Sequence, residues 1–76
     1  MIMLKKNIRK YKIMDKHIEW TRSGKYEAAR YLLQLLANGR VKVGLGDVDG
    51  EVENYLEGIG CPVSYNRNGY SATFRI

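Results

Sequence analysis

Residues 63–76 read VSYNRNGYSATFRI. Asn68-Gly69 is the strongest short signal for a hairpin turn, because a type I′ turn needs positive φ at both central positions. With that turn fixed, Arg67 falls opposite Tyr70, Tyr65 opposite Ala72 and Val63 opposite Phe74. All of these share one face with Ile76. Ser64 opposite Thr73 and Asn66 opposite Ser71 share the other. One face is apolar and one polar, as expected of a sheet covered on a single side. Turn chemistry and side-chain alternation thus define the same register.

Two helices and a strand precede the hairpin. From about Lys25 to Asn38, Tyr26, Ala29, Leu33 and Leu36 recur at helical spacing, and Leu32 and Leu35 widen the stripe. Ser23 is the N-cap candidate, and Glu27 suits the positive end of the helix dipole. Asn38-Gly39 is the stop, since glycine takes the left-handed conformation without steric cost. In Arg40–Leu45, Val41, Val43 and Leu45 alternate with Lys42 and Gly44, which predicts a strand with one buried face. A second helix is expected from about Asp49 to Gly58, with Val48, Val52, Tyr55, Leu56 and Ile59 on its apolar stripe. Asp47 and Asp49 are N-cap candidates, and Gly58, Gly60 and Pro62 end the helix.

The N-terminal third reads differently. His17-Ile18-Glu19-Trp20-Thr21 predicts a strand leading into the first helix, and residues 9–14 read as a further strand. The expectation is a single α+β domain over 1–76. It is a two-layer sandwich of order β-α-β-α-β-β, with two helices on one face of a mixed sheet and room for an extra N-terminal strand. Residues 1–15 are then a basic N-terminal arm or edge strand.

The chain is short enough for one modest core. It has one cysteine and one histidine, so neither an intramolecular disulfide nor a Cys/His zinc site is available within it. No apolar run approaches the roughly 20 residues of a membrane span. Lys5 and Lys6 are not followed by the apolar region of a signal peptide, which makes a cytoplasmic setting the expectation. The net charge of +5 is unevenly placed: residues 1–22 hold seven basic and two acidic side chains, and residues 23–76 hold six of each. A basic segment on a neutral body suits phosphates or an acidic protein surface.

No cofactor or metal site is expected. Asp47-Val48-Asp49-Gly50-Glu51 echoes half a calcium loop, but aligning Gly50 with the loop glycine puts Leu45 and Leu56 at the two terminal ligand positions. Gly44-Leu45-Gly46 lacks the remaining residues of either phosphate-loop fingerprint, and the acids that follow would repel phosphate. Cys61 follows a helix C-terminus with Glu57 near, which favours an inert buried thiol. His17, Trp20 and Tyr11 lie among the basic residues, where aromatics can stack on bases while cations hold phosphates. Trp20 fits the core better, and Tyr11 is left open.

In element order and length, residues 16–76 resemble the TusA/SirA-like fold of small sulfur-carrier proteins, also seen in the C-terminal domain of translation initiation factor three. The family carries Cys-Pro-x-Pro at the start of its first helix, where the cysteine bears sulfur. Here the segment is Thr21-Arg22-Ser23-Gly24-Lys25, with serine at the cysteine position and no proline after it. Leu56–Val63 echoes the family's Leu-Asp…Gly-Leu-x-Cys-Pro string, but a hairpin follows it rather than a helix. The resemblance therefore implies the fold without the family's sulfur-transfer site.

No paired acid/base or nucleophile groups are visible, so binding is favoured over catalysis. The leading expectation is a small non-enzymatic binding or regulatory protein. It contacts RNA or DNA through Lys5, Lys6, Arg9, Lys10, Tyr11, Lys12, Lys16 and Arg22. The alternatives are a regulator or inhibitor that binds an acidic protein surface, and a divergent TusA-like sulfur carrier using Cys61.

Overall fold

The computed structural model describes residues 5–44, 47–66 and 69–76. In chain order these form α1 (Lys5–Arg22), α2 (Tyr26–Asn38), β1 (Arg40–Gly44), α3 (Asp47–Gly58), β2 (Val63–Tyr65) and β3 (Ser71–Arg75). The protein is a mixed α+β domain whose three strands form an antiparallel sheet of order β1-β3-β2.

The expected first strands are not strands. Residues 9–14 and His17–Thr21 lie within α1, an 18-residue helix. The described part of the basic segment is therefore neither an arm nor an edge strand, and the order is α-α-β-α-β-β rather than β-α-β-α-β-β. The expected mixed sheet is wholly antiparallel, and no strand–helix–strand unit joins parallel neighbours among the described residues. The physical reason is the spacing of the residues that become buried. Ile13 and Trp20 are seven apart and buried at 0% and 5% exposure. Ile18, which completes an alternating pattern with Trp20, is 44% exposed. Lys, Arg, Met and Glu, all good helix formers, make up half of α1, and no glycine or proline interrupts it.

α1 ends in a Schellman motif. Gly24 has φ +83°, its N–H donates to the carbonyl of Thr21, and the Lys25 N–H donates to that of Trp20. These are the two capping bonds that satisfy the orphan carbonyls of a helix end. Ser23 belongs to this termination and does not cap α2. The residue at that position is Lys25, which makes no side-chain capping bond. The left-handed Gly39 stops α2 as expected, its N–H donating to the Leu35 carbonyl.

The stripe of α2 is rotated from the one read in sequence. Ala28, Ala29, Leu32 and Leu35 are buried, and Tyr26 and Leu33 are 69% and 50% exposed. α2 packs against α1, β1 and α3, so its buried arc must serve several neighbours at once. The α3 reading holds where side chains are described: Val52 and Leu56 are fully buried, with Tyr55 and Ile59 half-buried beside them.

Hairpin register is as predicted: Val63 pairs with Phe74, Ser64 with Thr73 and Tyr65 with Ala72. The expected Arg67–Tyr70 pair and Asn68-Gly69 turn include Arg67 and Asn68, which lie outside the described residues. On their flanks the Asn66 N–H donates to the Ser71 carbonyl, and the Asn66 side chain donates to the Ser71 hydroxyl. Strand β3 is central, with β1 on its other side through Val41–Phe74 and Val43–Ala72. Val41, Val43, Ala72 and Phe74 face the helices and join Leu32, Leu35, Val52, Leu56, Ile13 and Trp20 in one core.

Candidate nucleic-acid interface

α1 is about 27 Å long at 1.5 Å per residue. It is held from two sides. His17 Nδ1–H donates to the Ala29 carbonyl of α2 at 2.8 Å. A carbonyl can only accept, so the ring carries a proton on Nδ1. From α3, the Tyr55 hydroxyl donates to the Lys12 carbonyl at 2.8 Å. The Tyr55 ring meets Trp20 edge-on at 5.7 Å between centroids, a favourable aromatic geometry. The Lys16 ammonium lies 5.2 Å from the same ring's centroid, within cation–π range. Burial first, then the nearby Cys61, Asp15 and Glu19, raises the Tyr55 pKa and keeps its hydroxyl a donor.

The helix distributes the expected contact residues over several faces. Arg9, Lys12 and Lys16 are spaced i, i+3, i+7 and share the face beside α3. Lys5 is the first residue of α1. Of these, Lys12 is exposed and Arg9 half-buried. Lys16 is ion-paired with Glu19 at 2.5 Å, so its charge is largely answered within the protein. An open depression between the helices, about 390 Å³ in volume, is lined by Ile8, Arg9, Lys12, Ile59 and Gly60. Lys10 is exposed on the flank nearer α2, and Arg22 is exposed in the last turn, where a cation suits the negative end of the helix dipole. Lys6 lies in the first turn of α1. Tyr11 is 61% exposed and belongs to the outer face with Ile8, Met14 and Ile18. Trp20 is in the core, as its sequence context favoured.

Cys61 is buried and free. Burial pushes its thiol pKa up, partly opposed by the positive charge of Arg9. The residue sits just after a second Schellman motif, in which Gly60 N–H donates to the Glu57 carbonyl and Cys61 N–H to that of Leu56. Among the described residues, no group of three or more His, Cys, Asp or Glu side chains converges on a metal site. No described helix is long and apolar enough to cross a membrane.

Sequence reasoning missed a second set of cations. The solvent face of β1 and β3 carries Arg40, Lys42 and Arg75, all exposed. They line an open groove of about 920 Å³ together with Gln34, Asn38 and Thr73. Carboxylates of α3 lie elsewhere: Glu57 accepts from the Tyr65 hydroxyl, and Glu51 pairs with Lys25 at 2.5 Å. Zero net charge over residues 23–76 therefore conceals segregated charge. The signal was present in the alternation Arg40-Val41-Lys42-Val43, but the partnership of β1 with β3 was needed to bring Arg75 beside it.

Comparison with protein-family models, with curated proteins and with solved structures finds no match.

Proposed function

We propose that the protein is a small non-enzymatic binding module that contacts nucleic acid through α1. The observation that carries this reading is that Lys10, Lys12 and Arg22 stand exposed on one helix. Among the described residues, no side-chain hydrogen bond or ion pair occupies their charges. Unpaired cations on a firmly docked helix are available to replace the counterions around phosphates. Exposed Tyr11 adds a ring on which a base can stack. A free, buried thiol is in keeping with the cytoplasmic setting we assign to it.

An NMR titration with a short oligonucleotide at low salt tests the proposal. Shifts concentrated in residues 9–22, with affinity falling steeply as salt rises, are expected. Absence of any shift in α1 at low salt removes the reading.

A different observation favours a second one. Ile8, Tyr11, Met14 and Ile18 form an exposed apolar line on the outer face of α1, with Lys10, Lys12 and Arg22 around it. An apolar centre with a charged rim is the anatomy of a protein interface, and this rim suits an acidic partner. Affinity capture by wild type that is lost on Tyr11→Ser and Ile18→Ser, with oligonucleotide binding retained, would favour the protein partner.

A further inference from the structure

The outer face of the sheet sets like charges directly opposite each other. The Ile76 N–H donates to the Gly39 carbonyl, which makes 39–76 a hydrogen-bonded pair. Pair types alternate along an antiparallel ladder, so Arg40–Arg75 and Lys42–Thr73 are non-hydrogen-bonded pairs. In such pairs the Cα atoms are about 4.5 Å apart and side chains approach most closely. Two arginines therefore stand directly opposite each other, with Lys42 two residues along on the same face. Like charges in this position are destabilising. Among the described residues, no Asp or Glu side chain lines the groove and no ion pair reaches any of the three cations.

A local conflict without internal compensation is the usual mark of a functional surface. We infer that the Arg40–Lys42–Arg75 face binds the phosphodiester backbone of a nucleic-acid duplex. Charge complementarity identifies the occupant: three fixed cations flanked by the neutral donors Gln34, Asn38 and Thr73 match a row of phosphates. The open groove also favours a duplex over a single strand, because none of its lining residues is aromatic. Single strands are generally held by bases stacked on aromatic rings. Arginine suits the role because its planar fork engages two phosphate oxygens at once. The groove is bordered by β1, β3 and the C-terminal part of α2, and no residue of α1 lines it. The contact is thus separate from the one proposed for α1, although it shares with it the premise that the partner is nucleic acid.

Fluorescence anisotropy with a labelled DNA duplex tests the inference. The full chain is compared with Arg40→Gln/Lys42→Gln/Arg75→Gln and, separately, with Lys10→Gln/Lys12→Gln/Arg22→Gln. Each neutralised phosphate contact contributes about 0.9 to the log–log salt slope. Three lost contacts should flatten that slope by about 2.7, so a fourfold rise in salt should weaken wild type about 40-fold more than the sheet variant. A labelled single strand should bind the sheet variant and wild type with similar affinity. If the sheet variant keeps the wild-type affinity and slope for duplex while the helix variant loses them, the sheet inference fails and the α1 reading stands. If the helix variant binds as wild type and the sheet variant does not, the outcome is the reverse. If wild type binds neither probe at low salt, both fail. All the substituted side chains are exposed, and a thermal melt on each variant confirms that binding is compared between folded proteins.

Discussion

Replacing Gly60 isolates the energetic contribution of one backbone conformation. Gly60 has φ +79°, and a Cβ built on it meets nothing within 4 Å. Gly60→Ala therefore creates no clash, and its cost is that of holding an alanine in the left-handed region, about 1–2 kcal/mol. Alanine also narrows the unfolded ensemble, which returns about 0.4–1 kcal/mol. The net expectation is a loss near 1 kcal/mol. For a domain of this size, that lowers Tm by about 4–8 °C. The same conformation directs Cys61 into the core and Pro62 toward β2, so the strain falls where α3 hands the chain to the sheet. Asparagine tolerates the left-handed region better than other side chains, and Gly60→Asn should recover more than half of the lost Tm. Thermal denaturation followed by circular dichroism measures all three proteins. An unchanged melting temperature for Gly60→Ala, or an equal fall for Gly60→Asn, would refute the assignment of this cap.

Other outcomes follow from the core, the thiol and the hairpin. Phe74→Ala removes the largest fully buried side chain and should cost about 3–5 kcal/mol; urea titration would show an early midpoint or no cooperative transition. Cys61 should react with a thiol reagent only as fast as the protein opens, and rapid stoichiometric labelling of the native protein would contradict its burial. Hydrogen bonding to Glu57, with smaller contributions from burial and Glu53, pushes the Tyr65 phenol up to about 12. A raised folded pKa means that its stabilising effect is complete below the ordinary tyrosine range and lost as pH rises toward 12. Alkaline spectrophotometric titration should show Tyr55 and Tyr65 ionising late, and Tyr65→Phe should remove one of these two late steps. Arg75→Glu converts the like-charge pair with Arg40 into an opposite-charge pair, worth about 0.2–1 kcal/mol. At low salt it should raise Tm while lowering duplex affinity, and a fall in both would argue against the cross-strand conflict.

The hairpin was legible because its information is local. Alternation over Val63–Tyr65 and Ser71–Arg75 places apolar and polar side chains on opposite faces, and the intervening glycine and asparagines mark the reversal. β1 and α3 were legible for the same reason. α1 was not, because its inward residues are few and far apart. Ile13, His17 and Trp20 are separated by four and three residues, but exposed Ile8, Tyr11, Met14 and Ile18 fill the spaces and blur the helical period. Ser23-Gly24 then admitted two readings. Serine before a helix resembles an N-cap, whereas glycine after a helix is a left-handed terminator. Only the hydrogen bonds from Gly24 and Lys25 back into α1 decide between them.

Charge was harder to place than structure. Summing it along the chain correctly located the basic excess in residues 1–22, but a sum has no geometry. α1 turns its cations about an axis, so Lys16 is spent on Glu19 and the Tyr55 ring while Lys10, Lys12 and Arg22 stay open to solvent. The apparently neutral remainder gathers Arg40, Lys42 and Arg75 on one flat face through pairing between residues 35 positions apart. A sheet concentrates charge because alternate side chains of neighbouring strands project the same way, whereas a helix spreads a basic run around its circumference. Three cations on β1 and β3 consequently share one sheet face, whereas the longer basic run on α1 is spread over several helix faces. The two sets of cations share no residue, and none of α1 lines the sheet groove. Duplex binding that survives loss of one face but not the other is therefore the measurement that ranks them.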